Sequence, residues 1–355
     1  MTLAFFAPLK SPNHPVPSGD RAMANGLMAA LRQGGRSVAL VSELRLYDKW
    51  GDKAHQSELM QSAQVEVARL LKRPASKSWQ AWVTYHNYYK APDLIGPSVS
   101  RALGIPYLQI ESTRARKRLF GPWARFAAAA EAASDDADTI FYFTHRDAET
   151  LRRDAPEGQT LIHLAPFLAR AELPPESRRQ GPMLNVGMMR HGDKLASYQL
   201  IADTLGLLPA NLGWRLNIAG DGPARPDVER MMAPFKRRVT FLGVQNADAL
   251  AEQYEQSCLF FWPGVNGAFG LVYLEAQAAG LPVVAQDRPG VRDVVHGSHP
   301  PPRAGPEAMA HQIVHLMSNQ SERDRLGIEA REKILSHHLL GNAAQTLNTA
   351  LEALI

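Results

Sequence analysis

The sequence contains a single cysteine, Cys258, among its 355 residues. One thiol can form neither an internal disulfide nor a cysteine-based zinc site. Cys258 stands in an apolar run, directly before Leu259 and Phe260, where a buried and reduced thiol is expected. We therefore expect a reducing compartment, the cytoplasm.

Long apolar runs are also missing, since no stretch of about eighteen apolar residues is available to span a bilayer. The first seven residues are apolar, but they run straight into Pro8-Leu9-Lys10. This pattern predicts a first strand, because it is too short for a signal peptide. Any membrane contact would then be peripheral, at the inner face of the membrane.

The composition is that of a globular chain, with 45% hydrophobic and 21% charged residues and a formal net charge of +4. This length suits two domains with separate cores. Strand and helix patterns alternate along the chain, which predicts an α/β fold. Pro174, Pro175 and Pro182 interrupt the alternation, so we place a domain boundary near residue 170.

The stretch 260–295 organises the predicted site. An apolar strand ends at Pro263, a glycine-bearing loop follows, and a helix is predicted from about Phe269 to Ala279. The first turn of a helix leaves backbone N–H groups unpaired, and Gly267 and Gly270 let a ligand approach them. An anion is the expected occupant.

Glu275 lies near the middle of this predicted helix, among apolar or small residues. A carboxylate held there suits the paired hydroxyl donors of a sugar. The alternative is that Glu275 caps or pairs with a group inside a doubly wound core. The segment alone leaves both interpretations open.

The order Pro263, Phe269-Gly270-Leu271-Val272, Leu274-Glu275-Ala276, Gly280 and Pro282-Val283-Val284-Ala285 resembles the nucleotide-sugar site of GT-B glycosyltransferases, specifically the retaining family four. The resemblance implies two Rossmann-like doubly wound domains facing a cleft. These would be an acceptor-side domain (1–170), a nucleotide-sugar domain (171–335) and a C-terminal helix (336–355) returning towards the first domain. The family carries Glu-x7-Glu. Here Glu275 is the second Glu, whereas Gly267 stands in the place of the first.

The resemblance also implies the donor site. Lys194 and Arg190 would meet the diphosphate and act in catalysis, although the family's Gly-Arg-x4-Lys spacing fits only if the loop is one residue longer. Glu275 would hold the ribose, and Asp293 replaces the Glu of the family's Gly-Gly-x-x-Glu turn. The other implied donor contacts are Phe269, Gly270, Leu271, Gly19, Gly220, Leu242, Gly243 and Val244.

On the acceptor side, His86 follows the predicted strand 82–85, and ligand contacts gather at such strand ends. The resemblance makes His86 a candidate for holding an acceptor hydroxyl or the sugar; the plain alternative is a satisfied loop histidine. Glu111 and Ser112 stand where many relatives place a His. Capping of the following helix is the expected role of Asp20.

The stretch 114–126 mixes five cations with three aromatic residues. It could lie on anionic lipid, as peripheral glycosyltransferases that make glycolipids do. It could equally be a solvated helix start. Nucleic-acid binding is not expected, because no recognised module accompanies the stretch.

The resemblance therefore predicts a retaining glycosyltransferase that moves a sugar from a nucleotide-diphosphate donor to an acceptor such as a glycolipid, a polysaccharide precursor or a small molecule. No cofactor and no metal are expected, since side chains and backbone would meet the phosphates. Two alternatives remain. The missing first Glu could mark a non-catalytic nucleotide-sugar-binding partner, and the same architecture serves nucleotide-sugar epimerases, for which Glu111 is the suggestive carboxyl group.

Overall fold

The computed structural model describes residues 2–16 and 18–355. Met1 and Pro17, the last of four prolines that follow the first predicted strand, lie outside the described residues. The chain divides into two compact units. Unit one comprises residues 1–169 and 340–355, and unit two comprises residues 170–339.

Unit one is built on a six-stranded parallel sheet with the order β2-β1-β3-β4-β5-β6. The inner strands are buried on both faces, which explains their apolar sequences. The strands are β1 (Thr2–Phe6), β2 (Ser37–Ser42), β3 (Trp79–Tyr85), β4 (Tyr107–Ile110), β5 (Thr139–Tyr142) and β6 (Thr160–His163). The helices between them are α1 (Gly19–Gln33), α2 (Lys53–Lys72), α3 (Gly96–Leu103), α4 (Ala124–Asp135) and α5 (His145–Asp154).

Unit two has a five-stranded parallel sheet with the order β11-β10-β7-β8-β9. Its strands are β7 (Met183–Val186), β8 (Leu216–Ala219), β9 (Val239–Gly243), β10 (Leu259–Phe261) and β11 (Val283–Val284). Its helices are α6 (Asp193–Gly206), α7 (Arg225–Met232), α8 (Ala247–Glu255), α9 (Leu271–Ala278), α10 (Pro289–Val294), α11 (Gly305–Ser318) and α12 (Gln320–His337).

The last helix, α13 (Leu340–Glu352), belongs to unit one and packs against α1. Its buried face consists of Ala343, Ala344, Leu347 and Leu351. Just beyond α1, Arg36 donates a hydrogen bond to Asn348 at 2.5 Å. The final helix is therefore part of the core of unit one.

The helix at the predicted anion site is shorter than the sequence predicts. The helix predicted from Phe269 begins at Leu271, because Gly270 has φ +75° and cannot belong to a right-handed helix. Helix α2 begins at Lys53, since the Asp52 carboxylate accepts hydrogen bonds from the N–H groups of Ala54 and His55. Within residues 2–16 and 18–355, no helix has the length and hydrophobicity needed to cross a membrane.

Candidate functional site

Three loops of unit two are joined by backbone hydrogen bonds at the carboxyl edge of its sheet. The Gly187 N–H donates to the Ala219 carbonyl at 3.0 Å, and the Gly220 N–H donates to the Gly243 carbonyl at 2.7 Å. The Met189 N–H donates to the Asp221 carbonyl at 3.0 Å. The loops that follow β7, β8 and β9 therefore form one continuous backbone surface.

Two glycines make this joining possible. A Cβ at Gly220 would lie 2.0 Å from the Gly187 carbonyl oxygen, and one at Gly222 would lie 2.3 Å from the Met189 carbonyl oxygen. Both residues also have positive φ, 131° and 155°. The protein's own backbone packing thus requires both glycines, whether or not a ligand is bound.

Next to this surface, α9 begins without a side-chain cap. Gly270 is the N-cap residue and has no side chain with which to accept from the first turn. An uncapped helix start offers N–H donors and the positive end of the helix dipole to an anion. The preceding loop is tightly packed: Phe269 is buried, and a Cβ at Gly290 would lie 1.0 Å from the Ala268 carbonyl oxygen.

Lys194 lies in the first turn of α6, and its Nζ is 4.9 Å from the centroid of the Trp262 ring. Burial lowers the pKa of Lys194, and the neighbouring Arg190 cation lowers it further, whereas Asp193 opposes the shift. Arg190 itself is exposed. Arg190 is therefore close enough to Lys194 for its charge to act on the lysine.

Arg288 is a third cation near this edge, which the sequence analysis missed. Its Nε donates to the Gln286 side-chain oxygen at 3.1 Å. Burial lowers the pKa of Arg288, while the charge of Asp193 opposes that shift. Arg288 belongs to none of the motifs that carry the resemblance, and it lies far from Asp193 in the sequence. Only the folded structure shows that the two charges interact.

The loop after β10 is fastened to the start of α6. The Val265 N–H donates to the Ser197 hydroxyl at 3.0 Å, and the Asn266 side-chain amide donates to the Asp193 carboxylate at 2.9 Å. Asn266 is one of four non-glycine residues with positive φ in the described part of the chain, at 46°. The loop that carries Gly267 thereby has a fixed position relative to Lys194.

Glu275 accepts a hydrogen bond from the Tyr254 hydroxyl at 2.8 Å. Burial raises the pKa of the Glu275 carboxyl group, and the Tyr254 hydrogen bond and Arg170 partly counter that shift. The carboxylate thus has a partner within unit two, as the core-pairing alternative anticipated. The other carboxylate oxygen retains its capacity to accept from a ligand.

The segment 242–244, predicted to contact the base, lies at the end of β9. Gln245 donates from its side chain to the Leu242 carbonyl at 2.6 Å, and Gly243 has φ +67°. The Val244 side chain is 78% exposed. This apolar surface is available for packing against a flat ring.

In unit one, His86 and Glu111 end the neighbouring strands β3 and β4, and both are non-glycine residues with positive φ, 69° and 58°. The His86 Nδ1 lies 3.4 Å from a Glu111 carboxylate oxygen. Such backbone conformations are costly for side chains with a Cβ and concentrate at functional sites. The fold thus stores strain where the sequence placed the acceptor residues.

The His86 and Glu111 side chains are largely buried, and burial disfavours their charged forms. It raises the pKa of Glu111 to about 8, with a Tyr85 hydrogen bond opposing the shift, and it lowers the pKa of His86. The charges of Asp20 and Asp147 act on both groups. Neither Tyr85, Asp20 nor Asp147 was predicted as a member of this cluster.

Residues 183–319 match the family model of glycosyl transferases group 1. The matched residues run from β7 to the end of α11 in unit two. Alpha-D-kanosaminyltransferase of Streptomyces kanamyceticus is 27% identical over 281 residues, which cover 70% of this chain and 71% of that protein. Further curated relatives are matched over only 17–36% of their own length.

Two solved structures share the fold. Sucrose-phosphate synthase from Thermosynechococcus elongatus matches with a TM-score of 0.74 and 16% identity, covering 99% of this chain and 98% of that chain. Anabaena Alr3699/HepE in complex with UDP matches with a TM-score of 0.72 and 14% identity over 100% of both chains. The predicted GT-B fold is confirmed, and the comparisons support a nucleotide-sugar glycosyltransferase.

Within the matched residues, the departures from the family pattern have distinct surroundings. A Cβ at Gly267 would meet nothing nearer than the Gly264 carbonyl oxygen at 3.8 Å, so there is room for a side chain. Asp293 lies in α10, and its charge acts on Lys333, whose pKa is lowered chiefly by burial. Gly267 therefore replaces the family's first Glu, and among the residues that the structure describes no neighbouring group fills the space that a side chain would occupy.

Two expectations in unit one need correction. Ser112 is fully buried, and its hydroxyl donates to the side-chain oxygen of Gln109, so it supports the loop from inside and does not face an acceptor. Asp20 is not the cap of α1: the Ser18 hydroxyl caps it by accepting from the Arg21 N–H at 3.3 Å. Gly19 is the first residue of α1 and has open space around its Cα.

Two of the predicted lipid-facing cations of the stretch 114–126 form ion pairs with carboxylates of unit one. Arg114 is buried and pairs with Glu131 at 3.0 Å and with Asp135 at 2.7 Å. Arg116 pairs with Asp154 at 3.1 Å. The Arg114 guanidinium is therefore structural, whereas Arg116 is paired but exposed.

Two carboxylates whose spacing could suggest a metal site already accept hydrogen bonds within unit one. In the pair Asp136-Ala137-Asp138, Asp136 accepts from Arg101 at 2.8 Å, and Asp138 accepts from the Tyr107 N–H at 2.7 Å. Across residues 2–16 and 18–355, no group of three or more His, Cys, Asp or Glu side chains is arranged to hold a metal ion.

Proposed function

We propose that the chain is a retaining glycosyltransferase that moves a sugar from a nucleoside diphosphate donor to a hydroxyl-bearing acceptor without a metal ion. One observation carries the proposal. Lys194 in the first turn of α6 and the uncapped start of α9 adjoin the same carboxyl edge of the sheet in unit two, held together through Ser197 and Asn266.

Transfer breaks the bond between the anomeric carbon and the phosphate oxygen, and the bonding electron pair leaves with the diphosphate. The developing negative charge is the feature that a protein can stabilise most. Lys194, Arg190 and the backbone N–H groups of Gly270 and Leu271 supply positive charge and donors for it. Because these groups are already positioned, little reorganisation is needed as the bond breaks.

Glu275 serves the nucleoside end of the donor in this proposal. A carboxylate oxygen accepts from the two ribose hydroxyls, while the Tyr254 hydroxyl keeps the other oxygen in place. The base packs against the exposed Val244 side chain and the backbone of Leu242 and Gly243. The solved relative that binds UDP supports a uridine diphosphate donor as the first candidate.

The acceptor hydroxyl is assigned to the His86 and Glu111 pair of unit one. Attack of that hydroxyl on the face that the diphosphate leaves retains the configuration of the sugar. The proton of the hydroxyl passes to the departing phosphate oxygen, so His86 and Glu111 need only orient the hydroxyl through hydrogen bonds. Their shifted pKa values favour neutral forms, which can each donate and accept.

Two other candidate functions rest on Gly267, which replaces the family's first Glu, and on the His86 and Glu111 pair. A protein that lacks the family's first Glu could bind a nucleotide sugar without turning it over. The close His86 and Glu111 pair would instead suit an epimerase, which needs acid and base groups. Incubation with a donor and no acceptor separates these cases, because an epimerase alters the sugar and a pure binder leaves it unchanged.

The test combines binding and turnover. Thermal unfolding is followed with UDP, UDP-sugars and, as the matched control, uridine, which lacks the diphosphate. A ligand raises the melting temperature in proportion to the logarithm of its excess over the Kd. We expect UDP to stabilise the chain and uridine not to, and Lys194→Ala and Glu275→Ala to weaken both UDP stabilisation and transfer. Wild-type rates in either variant would contradict the assignment.

Retention and metal independence have their own measurements. The anomeric configuration of the product is read by NMR, and transfer is measured with and without EDTA. Inversion of the anomeric centre would overturn the retaining mechanism, and loss of activity with EDTA that is restored by a divalent cation would overturn the metal-free proposal.

A further inference from the structure

Two large aromatic side chains of unit one are almost fully exposed. Phe120 is 82% exposed and Trp50 is 75% exposed. Each belongs to a loop, Trp50 between β2 and α2 and Phe120 between β4 and α4. Burying such residues is favourable, so an exposed pair indicates a surface that something covers.

The two loops adjoin each other. A Cβ at Gly51 would lie 2.3 Å from the Cβ of Pro122, and the Gln56 side chain donates to the Pro122 carbonyl at 3.0 Å. The Trp123 indole N–H donates to the Asp48 carbonyl at 3.3 Å. These contacts fix the loop that carries Trp50 beside the loop that carries Phe120, although 70 positions separate the two residues in the sequence.

Cations lie against Trp50 and against Trp123, the residue that joins the two loops. The Lys49 ammonium lies 4.3 Å from the centroid of the Trp50 ring. The Lys90 ammonium and the Arg118 guanidinium lie 5.2 Å and 5.4 Å from the centroid of Trp123. Lys117 is exposed in the same loop as Phe120. We name Lys49, Trp50, Lys90, Lys117, Arg118 and Phe120 the aromatic-basic patch.

Nearby carboxylates have hydrogen-bond or ion-pair partners within the protein. Asp48 is buried and accepts from the N–H groups of Trp50 and Gly51 and from the Gln56 side chain. Asp52 is exposed but caps α2. The Arg114 and Arg116 pairs neutralise Glu131, Asp135 and Asp154. The patch therefore keeps an excess of positive charge around its two aromatic tips.

We propose that the aromatic-basic patch docks unit one on an anionic membrane surface. Trp and Phe at loop tips fit the boundary between headgroups and acyl chains, and the surrounding cations fit anionic headgroups. Two side chains on separate tips are too few for the core of a stable protein interface, which needs on the order of 1,000 Å². The inference goes beyond the proposed transfer reaction and does not depend on it.

The stretch 114–126 suggested lipid contact from its composition, but the structure changes which residues make it. Arg114 is buried, Arg116 is exposed but paired with Asp154, and Trp50 and Lys49 join from a distant part of the sequence. Phe120 and Lys117 are the exposed contributors from the stretch itself. The surface is thus formed by tertiary contact between two loops.

The experiment is vesicle flotation of the full chain without donor. Phosphatidylcholine vesicles that contain about 30 mol% phosphatidylglycerol are compared with pure phosphatidylcholine vesicles. We expect binding to the anionic vesicles alone, weakened by salt. The double substitution Trp50→Ser with Phe120→Ser should lower the partition coefficient at least about tenfold. Lys49→Gln with Lys117→Gln should reduce binding and its salt dependence.

Val65→Ser is the matched control, because Val65 is 67% exposed on α2 of the same unit but lies outside the patch. It should bind like wild type. Trp50→Phe should keep binding but remove most of the fluorescence quenching by brominated acyl chains. Equal flotation of the wild type and the double variant would overturn the proposal. So would a double variant that only loses self-association in light scattering, since a second copy would then be the occupant.

Stabilisation by UDP is measured on the same variants. Loss of vesicle binding with unchanged UDP stabilisation assigns the defect to the patch. Conversely, vesicle binding by a chain that lacks UDP binding would contradict the proposed transfer reaction and leave the membrane inference intact.

Discussion

The Nζ of Lys194 lies 4.9 Å from the centroid of Trp262, whose side chain is only 3% exposed. Tyr198 packs edge-on against the same indole ring at 5.4 Å, so the ring is fixed between a cation and an aromatic edge. An aromatic face attracts a cation without neutralising it. Trp262 therefore holds Lys194 in place while leaving its charge available for a diphosphate.

Trp262→Leu should weaken donor binding. Loss of the ring removes a favourable contact of the charged lysine, worth ~0.5–2 kcal/mol, and so raises the Kd for UDP roughly 2- to 30-fold. The pKa of Lys194, already lowered by burial, should fall further, so UDP binding is lost at lower pH as the pH rises. Titration calorimetry across alkaline pH measures both effects. Trp262→Phe is the control, and the same alkaline limb in Trp262→Leu as in wild type would contradict this role.

Glu275→Gln and Tyr254→Phe should separate the charge of the carboxylate from its orientation. Glu275→Gln replaces a charged acceptor and should weaken UDP binding about 10- to 100-fold. Tyr254→Phe removes the hydrogen bond that lowers the pKa of Glu275, so that pKa should rise. UDP binding by the Phe variant should then be lost at higher pH during acidification than in wild type. Superimposable pH profiles would exclude a ligand-facing carboxylate.

Glu111→Gln should stabilise the fold in a pH-dependent way. The folded-state pKa of about 8 lies above the ordinary value of 4.5, so the unfolded chain releases a proton that the folded chain keeps. The stability tied to that proton is present below pH 4.5 and is lost as the pH rises to about 8. Relative to wild type, the Gln variant should gain ~3 kcal/mol in free energy of unfolding between pH 5 and pH 8. The free energy of unfolding is measured by urea titration at both pH values. A difference between the variant and wild type that does not change with pH would show that the pKa of Glu111 is not raised by folding.

Gly290→Ala should destabilise the protein by displacing the loop before α9, whereas Gly267→Ala should not. The added methyl group at Gly290 overlaps the Ala268 carbonyl oxygen, so the loop must move at a cost of ~3 kcal/mol or more. At Gly267 the nearest atom is 3.8 Å away, and the change should stay within ~0.5 kcal/mol. Thermal unfolding of the two variants makes the comparison. A melting temperature for Gly290→Ala equal to that of Gly267→Ala would show that the loop relaxes freely.

Much of the site in unit two could be predicted because local sequence sets it. The glycines before α9, the strand-loop-helix order and the place of Lys194 at a helix start all follow from neighbours within a few residues, and an uncapped helix start favours an anion. The bonds between separate loops could not be predicted in this way. Three such interactions join residues that lie 21 to 95 positions apart in the printed chain. They are the hydrogen bond from Tyr254 to Glu275, the contact of Lys194 with the Trp262 ring and the charge interaction of Arg288 with Asp193.

By itself, the sequence determined two α/β units with parallel sheets and the loops at which ligands would bind, because apolar periodicity and glycine positions act locally. Only the tertiary structure decided which of those residues stay available. It buried Ser112 and Arg114, paired Arg116 with Asp154, raised the pKa of Glu111 and brought the loop of Trp50 beside the loop of Phe120. Burial and contact between distant segments set those outcomes, and neither is encoded in the spacing of residues along the chain.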